Sequence, residues 1–416
     1  MAENKKVVLA YSGGLDTSVA IKWLNEKGYE VIALMVDVGQ GGDIKEAGEK
    51  ALSTGATEAF IVEAKEEFIT DFVWPALKAN AMYQDQYSLA TALSRPLIGK
   101  ALAQKAIASG AGYVAHGSTG KGNDQVRIEV AAAAFGPQLK MLAPVRDWDM
   151  SRSEELEYAK KHGIKVEATK KSPYSIDQNL WGRSVECGVL EDPWVEPPAD
   201  AYAWTKSPED AKEKHDYINI VFQNGVPIAI DEKKMSAVDI VAELNKKAGE
   251  HGVGRVDMVE DRLVGIKSRE IYEQPAAEVL LCAHKALEDL VLEKDVHQFK
   301  KKIDIEYTQL VYDGKWYSPL KESLDAFINK TQACVSGTVR VKLYKGNAIV
   351  VGRYSPYSLY DEALATYESG SSFDEKAAQG FIEVFGLGLK TWSKKKNKHV
   401  CNKHGDGCNC PMKEGK

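Results

Sequence analysis

Apolar residues follow two rhythms through the first third of the chain. Short unbroken runs at Val7–Ala10 and Val31–Val38, and a third at Glu58–Val62, read as strands buried on both faces. Between them the apolar positions spread out as on one face of a helix, as with Val19, Ala20, Trp23 and Leu24 within Thr17–Glu26. Helical stretches are expected at about Ile44–Ser53, Glu66–Ala79, Leu89–Ser109 and Asp124–Phe135, with short strands at Tyr113–Ala115 and Leu139–Ala143. Such alternation predicts an α/β fold, a parallel sheet with helices on both faces. Ligands of these sheets bind beyond the carboxyl ends of the strands, so the loops after Tyr11, Val38 and His116 can share one cleft.

The rhythm changes near Lys170. Residues Ser172–Ala203, with the proline- and acid-rich Asp192–Pro198, read as linker and site loops. Two hairpins are expected further on, Ile218–Phe222 with Val226–Ile230 about Asn224-Gly225, and Val335–Tyr344 with Ala348–Tyr354. Helical patterns cover Val238–Glu250, Ala276–Leu292, Val296–Tyr312 and about Glu375–Trp392, and Ser355–Tyr360 reads as a loop. The expected organisation is a nucleotide-binding domain over 1–170, an α+β domain over 171–368, a terminal helix over 369–392 and a solvated tail over 393–416. No internal repeat is visible.

Two loops carry the chemistry. Ser12-Gly13-Gly14-Leu15-Asp16 joins the first strand to the first helix. Paired glycines let the backbone turn sharply and present N–H groups toward an anion, and the helix dipole adds to the attraction. Ser12, Thr17 and Ser18 supply hydroxyls. No lysine follows Gly14, so this is not the G-x-x-x-x-G-K-[ST] phosphate loop. The S-G-G-x-D-[ST]-S pattern instead resembles the pyrophosphate-binding loop of the N-type ATP pyrophosphatases, which cleave ATP between its α and β phosphates. A double-glycine turn over an ordinary helix is the plain alternative.

The second loop is His116-Gly117-Ser118-Thr119-Gly120-Lys121-Gly122-Asn123-Asp124-Gln125-Val126-Arg127. Donor, acceptor, anion and cation within one short segment suit a ligand with both amino and carboxylate groups. Thr119 and Arg127 suit carboxylates, and Asp124 suits an ammonium. Helix capping by Asn123 or Asp124 accounts for one of these residues and not for the set.

With Ser268-Arg269-Glu270-Ile271-Tyr272-Glu273 and Ser355-Pro356-Tyr357-Ser358-Leu359-Tyr360, the two loops closely resemble the argininosuccinate synthase family, over about Val7–Trp392. The resemblance implies an adenine nucleotide alpha hydrolase-like domain, a synthetase domain and a C-terminal oligomerisation helix. It implies a ligase that adenylates citrulline with Mg-ATP, releases pyrophosphate, and then lets the amino group of aspartate displace AMP to give argininosuccinate. By the same resemblance ATP falls to Ala10, Tyr11, Ser12, Gly13, Gly14, Leu15, Asp16, Thr17, Ser18, Val36 and Gly117. Aspartate falls to Thr119, Asn123 and Asp124. Citrulline falls to Tyr87, Asn123, Arg127, Ser175, Ser184, Glu260 and Tyr272. Asp16, Asp124 and Arg127 are the expected catalytic residues, and a homotetramer is the implied assembly. Ala92 departs from family members that carry a serine there, which removes one hydroxyl contact.

Each of these residues also has an ordinary reading. Tyr87 and Tyr272 suit aromatics at element ends, Ser175 and Ser184 suit turns, and Glu260-Asp261-Arg262 suits a solvated charge cluster.

Composition narrows the alternatives. The 416 residues carry a net charge of −6, which creates no field favouring nucleic acid. No apolar run approaches a membrane span and no signal-peptide core precedes the first strand, so a cytoplasmic enzyme without membrane partners is expected. Six cysteines, none before Cys187, argue against a disulfide framework and against an RNA thiolase with a reactive cysteine near the nucleotide. A glutaminase domain has no room, and a non-catalytic nucleotide sensor would have eroded polar loops. Beyond Trp392 the chain departs from the family. His399, Cys401, His404, Cys408 and Cys410 are soft ligands in a short span that suit Zn²⁺ or copper, with a metal-free solvated tail as the alternative.

Overall fold

The computed structural model describes residues 5–148, 150–165, 174–368 and 370–403, with side chains through residue 396. Strands β1 (Lys6–Ala10), β2 (Glu30–Asp37), β3 (Glu58–Glu63), β4 (Tyr113–Ala115) and β5 (Lys140–Leu142) form one parallel sheet in the order β3-β2-β1-β4-β5. The connections run outward from β1 in one direction and from β4 in the other. The gap between β1 and β4 is therefore the switch point at which such sheets bind ligands. Both faces are covered, as the unbroken apolar runs require. Val7, Leu9, Val31, Ala33 and Met35 pack on one side, against Leu15, Val19 and Leu24 of the helix Leu15–Glu26. Val8, Ile32, Leu34 and Val36 pack on the other. Truncating the wholly buried Leu9 to alanine removes about 2–5 kcal/mol of stability.

The expected helix Glu66–Ala79 is observed as three joined pieces, Lys65–Glu67, a π-helical Phe68–Val73 and Trp74–Lys78. Pro75 is the physical reason, because its ring nitrogen offers no hydrogen and the wide turn ahead of it absorbs the missing bond.

Residues 172–203 are not the linker and loops expected where they are described. They contain β6 (Ser175–Asn179) and β7 (Gly182–Glu186), followed by single 3₁₀ turns at Gly188–Glu191 and Ala199–Ala201. The apolar pattern is weak because this hairpin is polar on the face that matters, and Val185 is its one wholly buried aliphatic side chain. The two expected hairpins are present as β8 (Asp216–Gln223) with β9 (Val226–Ile230), and β13 (Gly337–Tyr344) with β14 (Asn347–Tyr354). Asn224 and Gly225 take φ +50° and +76°, as a tight two-residue turn demands. With β10 (Lys233–Lys234) they form an antiparallel sheet ordered β10-β9-β8-β13-β14. A further hairpin that the apolar pattern does not reveal, β11 (Arg255–Asp261) with β12 (Lys267–Glu273), completes a third sheet ordered β11-β12-β7-β6.

One core joins these parts. It runs from Val8 and Ile32 in the parallel sheet, through Leu93 and Leu97 of the helix Ala90–Ala108, to Ile220 of β8, Val341 of β13 and Leu280 of the helix Pro275–Val291. Residues through Leu359 form one compact unit, and a second unit begins at Tyr360. Within the second unit the expected terminal helix is two, Glu375–Phe385 and Leu387–Lys403, parted at Gly386. The backbone is helical as far as Lys403. The side chains of His399 and Cys401, and all of His404, Cys408 and Cys410, lie outside the described residues. No helix among the described residues is long and apolar enough to cross a membrane.

Candidate active site

The first loop lies at the switch point, as its sequence requires. Gly13 takes φ +81°, a conformation a side chain resists. Gly14 caps the helix Leu15–Glu26 in an extended conformation with no side chain bonded to the helix start. The first N–H groups thus face outward from the positive end of the helix dipole. Hydroxyls brace the turn from within. Ser18 donates to the Gly14 carbonyl at 2.7 Å, Ser12 and Thr17 lie 3.2 Å apart, and Tyr11 meets Ser18 at 3.0 Å. Lys50 donates to the Gly13 carbonyl at 2.6 Å. Ala10 ends β1, and Val36 lies next to the carboxyl end of β2 with its carbonyl accepting from Gln40 Nε2 at 3.0 Å. Asp16 stands in the first helical turn, 3.7 Å from Arg152, and near Glu155, whose carboxyl is pushed up by burial and by the Asp16 charge.

The second loop closes against the first at Gly117. A Cβ at that position would sit 2.8 Å from the Thr17 methyl, so only glycine lets the two loops meet. Buried His116 anchors the turn. Its Nδ1 accepts from the Ser118 N–H at 3.1 Å, which leaves the proton on Nε2, 3.0 Å from Glu129. That bond, helped by Arg146, holds the Glu129 carboxyl below its usual range. Gln125 Nε2 donates to the carbonyls of Gly120 and Gly122 at 2.7 and 3.3 Å. Thr119 is exposed at the loop tip.

Asn123, at the N-cap of the helix Asp124–Phe135, donates from Nδ2 to Glu260 of the third sheet, and Asp124 and Arg127 follow at the start of that helix. Register sets which side chains they meet. Tyr272 pairs with Ser184, Ser184 with Asp177, Ser175 with Glu186 and Met258 with Glu270. Directly opposed residues of antiparallel strands share a face. Ser175, Ser184, Glu260 and Tyr272, scattered in sequence, therefore lie on one face of one sheet. Ser175 is the outlier, exposed at the start of the edge strand β6. Glu273 faces the other way, buried and paired with Arg183 at 2.7 Å.

Glu260 is buried rather than solvated. Its carboxylate accepts from Tyr272 at 2.5 Å, Tyr312 at 2.5 Å and Asn123 Nδ2 at 3.2 Å. No lysine or arginine pairs with it among the described residues, so a buried carboxylate faces the site with neutral donors only. Arg127 is its complement. Nε donates to the Tyr312 carbonyl at 3.0 Å, Nη1 lies 3.4 Å from Asp124, and the buried Nη2 has no partner among the described residues. An unmatched buried donor of this kind costs about 1–3 kcal/mol or more, which a ligand carboxylate recovers. Asp124 is held below its usual range: burial opposes this, and the charges of Arg95 and Arg127 overcome it.

Tyr87 is buried, its ring stacked on Tyr272 at 4.2 Å. Its hydroxyl accepts from the N–H groups of Thr91 and Ala92 at 2.9 and 3.3 Å, and burial pushes its pKa to about 12. Ala92 keeps a backbone role there while offering no hydroxyl.

Several site residues escape sequence reasoning. Arg95 bridges Asp124, at 2.8 Å, and Asp177 on β6, and it sits inside a stretch that reads only as helix. Arg262 ties Glu186, Glu270 and Ser268 together and reaches the Lys121 carbonyl at 3.4 Å. Glu270 is raised by burial and by neighbouring Glu186. Tyr312 sits at a helix end with no local mark. Among the described residues no three His, Cys, Asp or Glu side chains form a metal-holding group.

A parallel sheet in this order, with a glycine-rich anion loop at its switch point, defines a class of nucleotide-binding α/β protein. Comparison with known proteins agrees. The Arginosuccinate synthase N-terminal HUP domain matches residues 6–165, and the Arginosuccinate synthase C-terminal domain matches residues 174–392. The argininosuccinate synthase of Rubrobacter xylanophilus is 56% identical over 393 residues, covering 94% of this chain and 96% of its own. That of Bacillus pumilus is 57% identical over 390 residues, covering 94% and 97%, and that of Chlorobium phaeobacteroides is 54% identical over 393 residues, covering 94% and 98%. The chain belongs to the argininosuccinate synthase family.

Proposed function

We propose that this chain is an ATP-dependent carbon–nitrogen ligase that joins L-citrulline to L-aspartate, giving argininosuccinate, AMP and pyrophosphate, a step of arginine biosynthesis. The observation that carries the reading is a buried guanidinium nitrogen and a buried carboxylate, each with a vacant charge-bearing side, in one site. Among the described residues Arg127 Nη2 lacks an acceptor and Glu260 lacks a cation, and Asn123 and Tyr312 link the two. An amino-acid head group supplies a carboxylate to the first and an ammonium to the second.

The chemistry follows from that placement. A ureido carbon is a poor electrophile, so its oxygen first attacks the α-phosphorus of ATP and pyrophosphate leaves. Ala10–Ser18, with Val36 and Gly117, hold the nucleotide, and outward N–H groups at Gly13–Leu15 stabilise the departing pyrophosphate. The loop brings little cationic charge of its own, so Mg²⁺ travelling with ATP would neutralise the phosphates, and Asp16 would be the carboxylate at hand to hold it. Tyr87, Asn123, Arg127, Ser175, Ser184, Glu260 and Tyr272 orient citrulline. Thr119, Asn123 and Asp124 orient aspartate, whose amino group attacks the activated carbon, losing a proton as AMP leaves. Positioning and charge placement do the work, with Asp16, Asp124 and Arg127 central to it. Residues 1–170 form the nucleotide half and 171–368 the synthetase half of this reading.

The reading includes a cytoplasmic homotetramer that binds no nucleic acid, with 369–392 making subunit contacts. Exposed Phe381, Ile382, Val384 and Phe385 on one short helix support that role. For the tail, Zn²⁺ or copper at His399, Cys401, His404, Cys408 and Cys410 remains a proposal, and chain purified without chelators or affinity tags that carries no metal counts against it.

The test is pyrophosphate release from Mg-ATP with citrulline, with aspartate, with both and with neither. Citrulline-dependent release is expected, with argininosuccinate appearing only when aspartate is added. ATP binding without citrulline-dependent turnover overturns the reading.

A further inference from the structure

Tyr312 ends the helix Lys294–Tyr312, far in sequence from every other site residue, and contacts three of them. Its hydroxyl accepts from Asn123 Nδ2 at 2.9 Å and lies 2.5 Å from Glu260 Oε1 and 2.8 Å from the Asp261 carbonyl. Its carbonyl takes Arg127 Nε at 3.0 Å, and the Arg127 guanidinium stands over its ring at 4.8 Å. The ring is held from the other side by Tyr83, stacked at 3.5 Å and 7°. Two residues on, Gly314 takes φ +75°, and a Cβ there would sit 2.9 Å from Arg127 Cα. The turn that follows Tyr312 therefore presses on the stem of Arg127 while Tyr312 itself grips the head.

Of the Arg127 nitrogens, this grip uses Nε and leaves Nη2 open. On the Glu260 side the phenol fixes Oε1, while Tyr272 fixes Oε2. Burial and the Glu260 charge push the Tyr312 pKa far above its ordinary value, so the hydroxyl stays a donor throughout the working range.

We propose that Tyr312 is the positioning residue that fixes the spacing between Arg127 Nη2 and Glu260, and so selects a ligand carrying both a free α-carboxylate and a free α-ammonium. This rests on reading that site as the citrulline site.

The test compares the full-length chain with Tyr312→Phe, which keeps the ring, the stack and the carbonyl and removes the hydroxyl. Pyrophosphate release is measured against citrulline, aspartate and ATP in turn. 5-Ureidopentanoate, citrulline without its ammonium, is titrated as a competitor. Loss of a hydrogen bond to a charged group predicts a citrulline KM about tenfold higher or more. The KM for ATP should stay within about twofold and kcat within about threefold. The inhibition constant of 5-ureidopentanoate should also stay within about twofold, since it offers Glu260 nothing to read. A citrulline KM within twofold of the parent overturns the assignment. So does a parallel rise for citrulline, its deaminated analogue and ATP with a lowered melting temperature, which marks a structural defect. A parent enzyme with no citrulline-dependent pyrophosphate release sinks the functional reading before any variant is compared, and this assignment with it.

Discussion

The Ser12–Ser18 loop and the face built from Asn123, Arg127, Glu260 and Tyr312 are equipped for charge in opposite ways. The loop is local and uses backbone N–H groups at a helix start, with hydroxyls bracing it from inside. The face is assembled across the chain, since the bond from Arg127 to Tyr312 spans 185 residues, and it uses fixed, buried, opposite side-chain charges. A phosphate cradle tolerates losing one donor because several remain. A buried charge that loses its counterpart does not, because desolvation has no other compensation.

That contrast orders the expected effects. Arg127→Leu should be the most damaging, lowering kcat/KM for citrulline by about 10²–10³-fold, in keeping with about 3–5 kcal/mol for breaking a buried charge pair. ATP binding, followed by equilibrium titration, should be nearly unchanged, and an equal loss of ATP affinity would break the comparison. Gly117→Val comes next. Its side chain meets the Thr17 methyl where a Cβ already has only 2.8 Å, so the KM for ATP should rise about tenfold, in line with overpacking costs of about 1–3 kcal/mol. Ser12→Ala should raise it only about fivefold, one hydroxyl bond of about 1 kcal/mol, because the backbone carries the cradle.

The smallest effect is a pH slope. The folded-state pKa of Glu270 is raised from 4.5 to about 8, by burial first and then by Glu186. A raised carboxyl contributes stability below its unfolded value and loses it as pH rises through the folded one. Between about pH 4.5 and 8 the parent should therefore lose melting temperature relative to Glu270→Gln, by about 1–3 °C. Parallel melting curves across that range would remove Glu270 from the account.

The same contrast explains what could be read from sequence. The sheet of β1 to β5 was legible because strands buried on both faces are unbroken apolar runs. The loop was legible because Gly13, Gly14 and the hydroxyls that brace them are neighbours in the chain. The hairpin of β6 and β7 was not, since Ser175, Asp177 and Ser184 turn a polar side toward the site and leave little apolar alternation. The helix Arg152–Lys161 lacks an apolar stripe too, with only Glu155 and Ala159 buried, although its Ser151–Glu154 capping box is a readable start signal. Arg95 and Tyr312 carry no local mark at all, because their partners arrive from elsewhere in the chain.

The core that passes from the parallel sheet into the later sheets has a bearing on how this protein can be taken apart. Trp74 meets Trp181 edge to face at 6.4 Å, and the Leu180 N–H bonds the Val38 carbonyl at 3.0 Å, both across the boundary where one family domain ends and the next begins. A gene split at that boundary would yield two polypeptides, each with an oily side and neither self-sufficient. Expressed together they should fold by finding one another, as halves of a split reporter do, so the boundary marks a seam in the sequence rather than a joint in the folded protein.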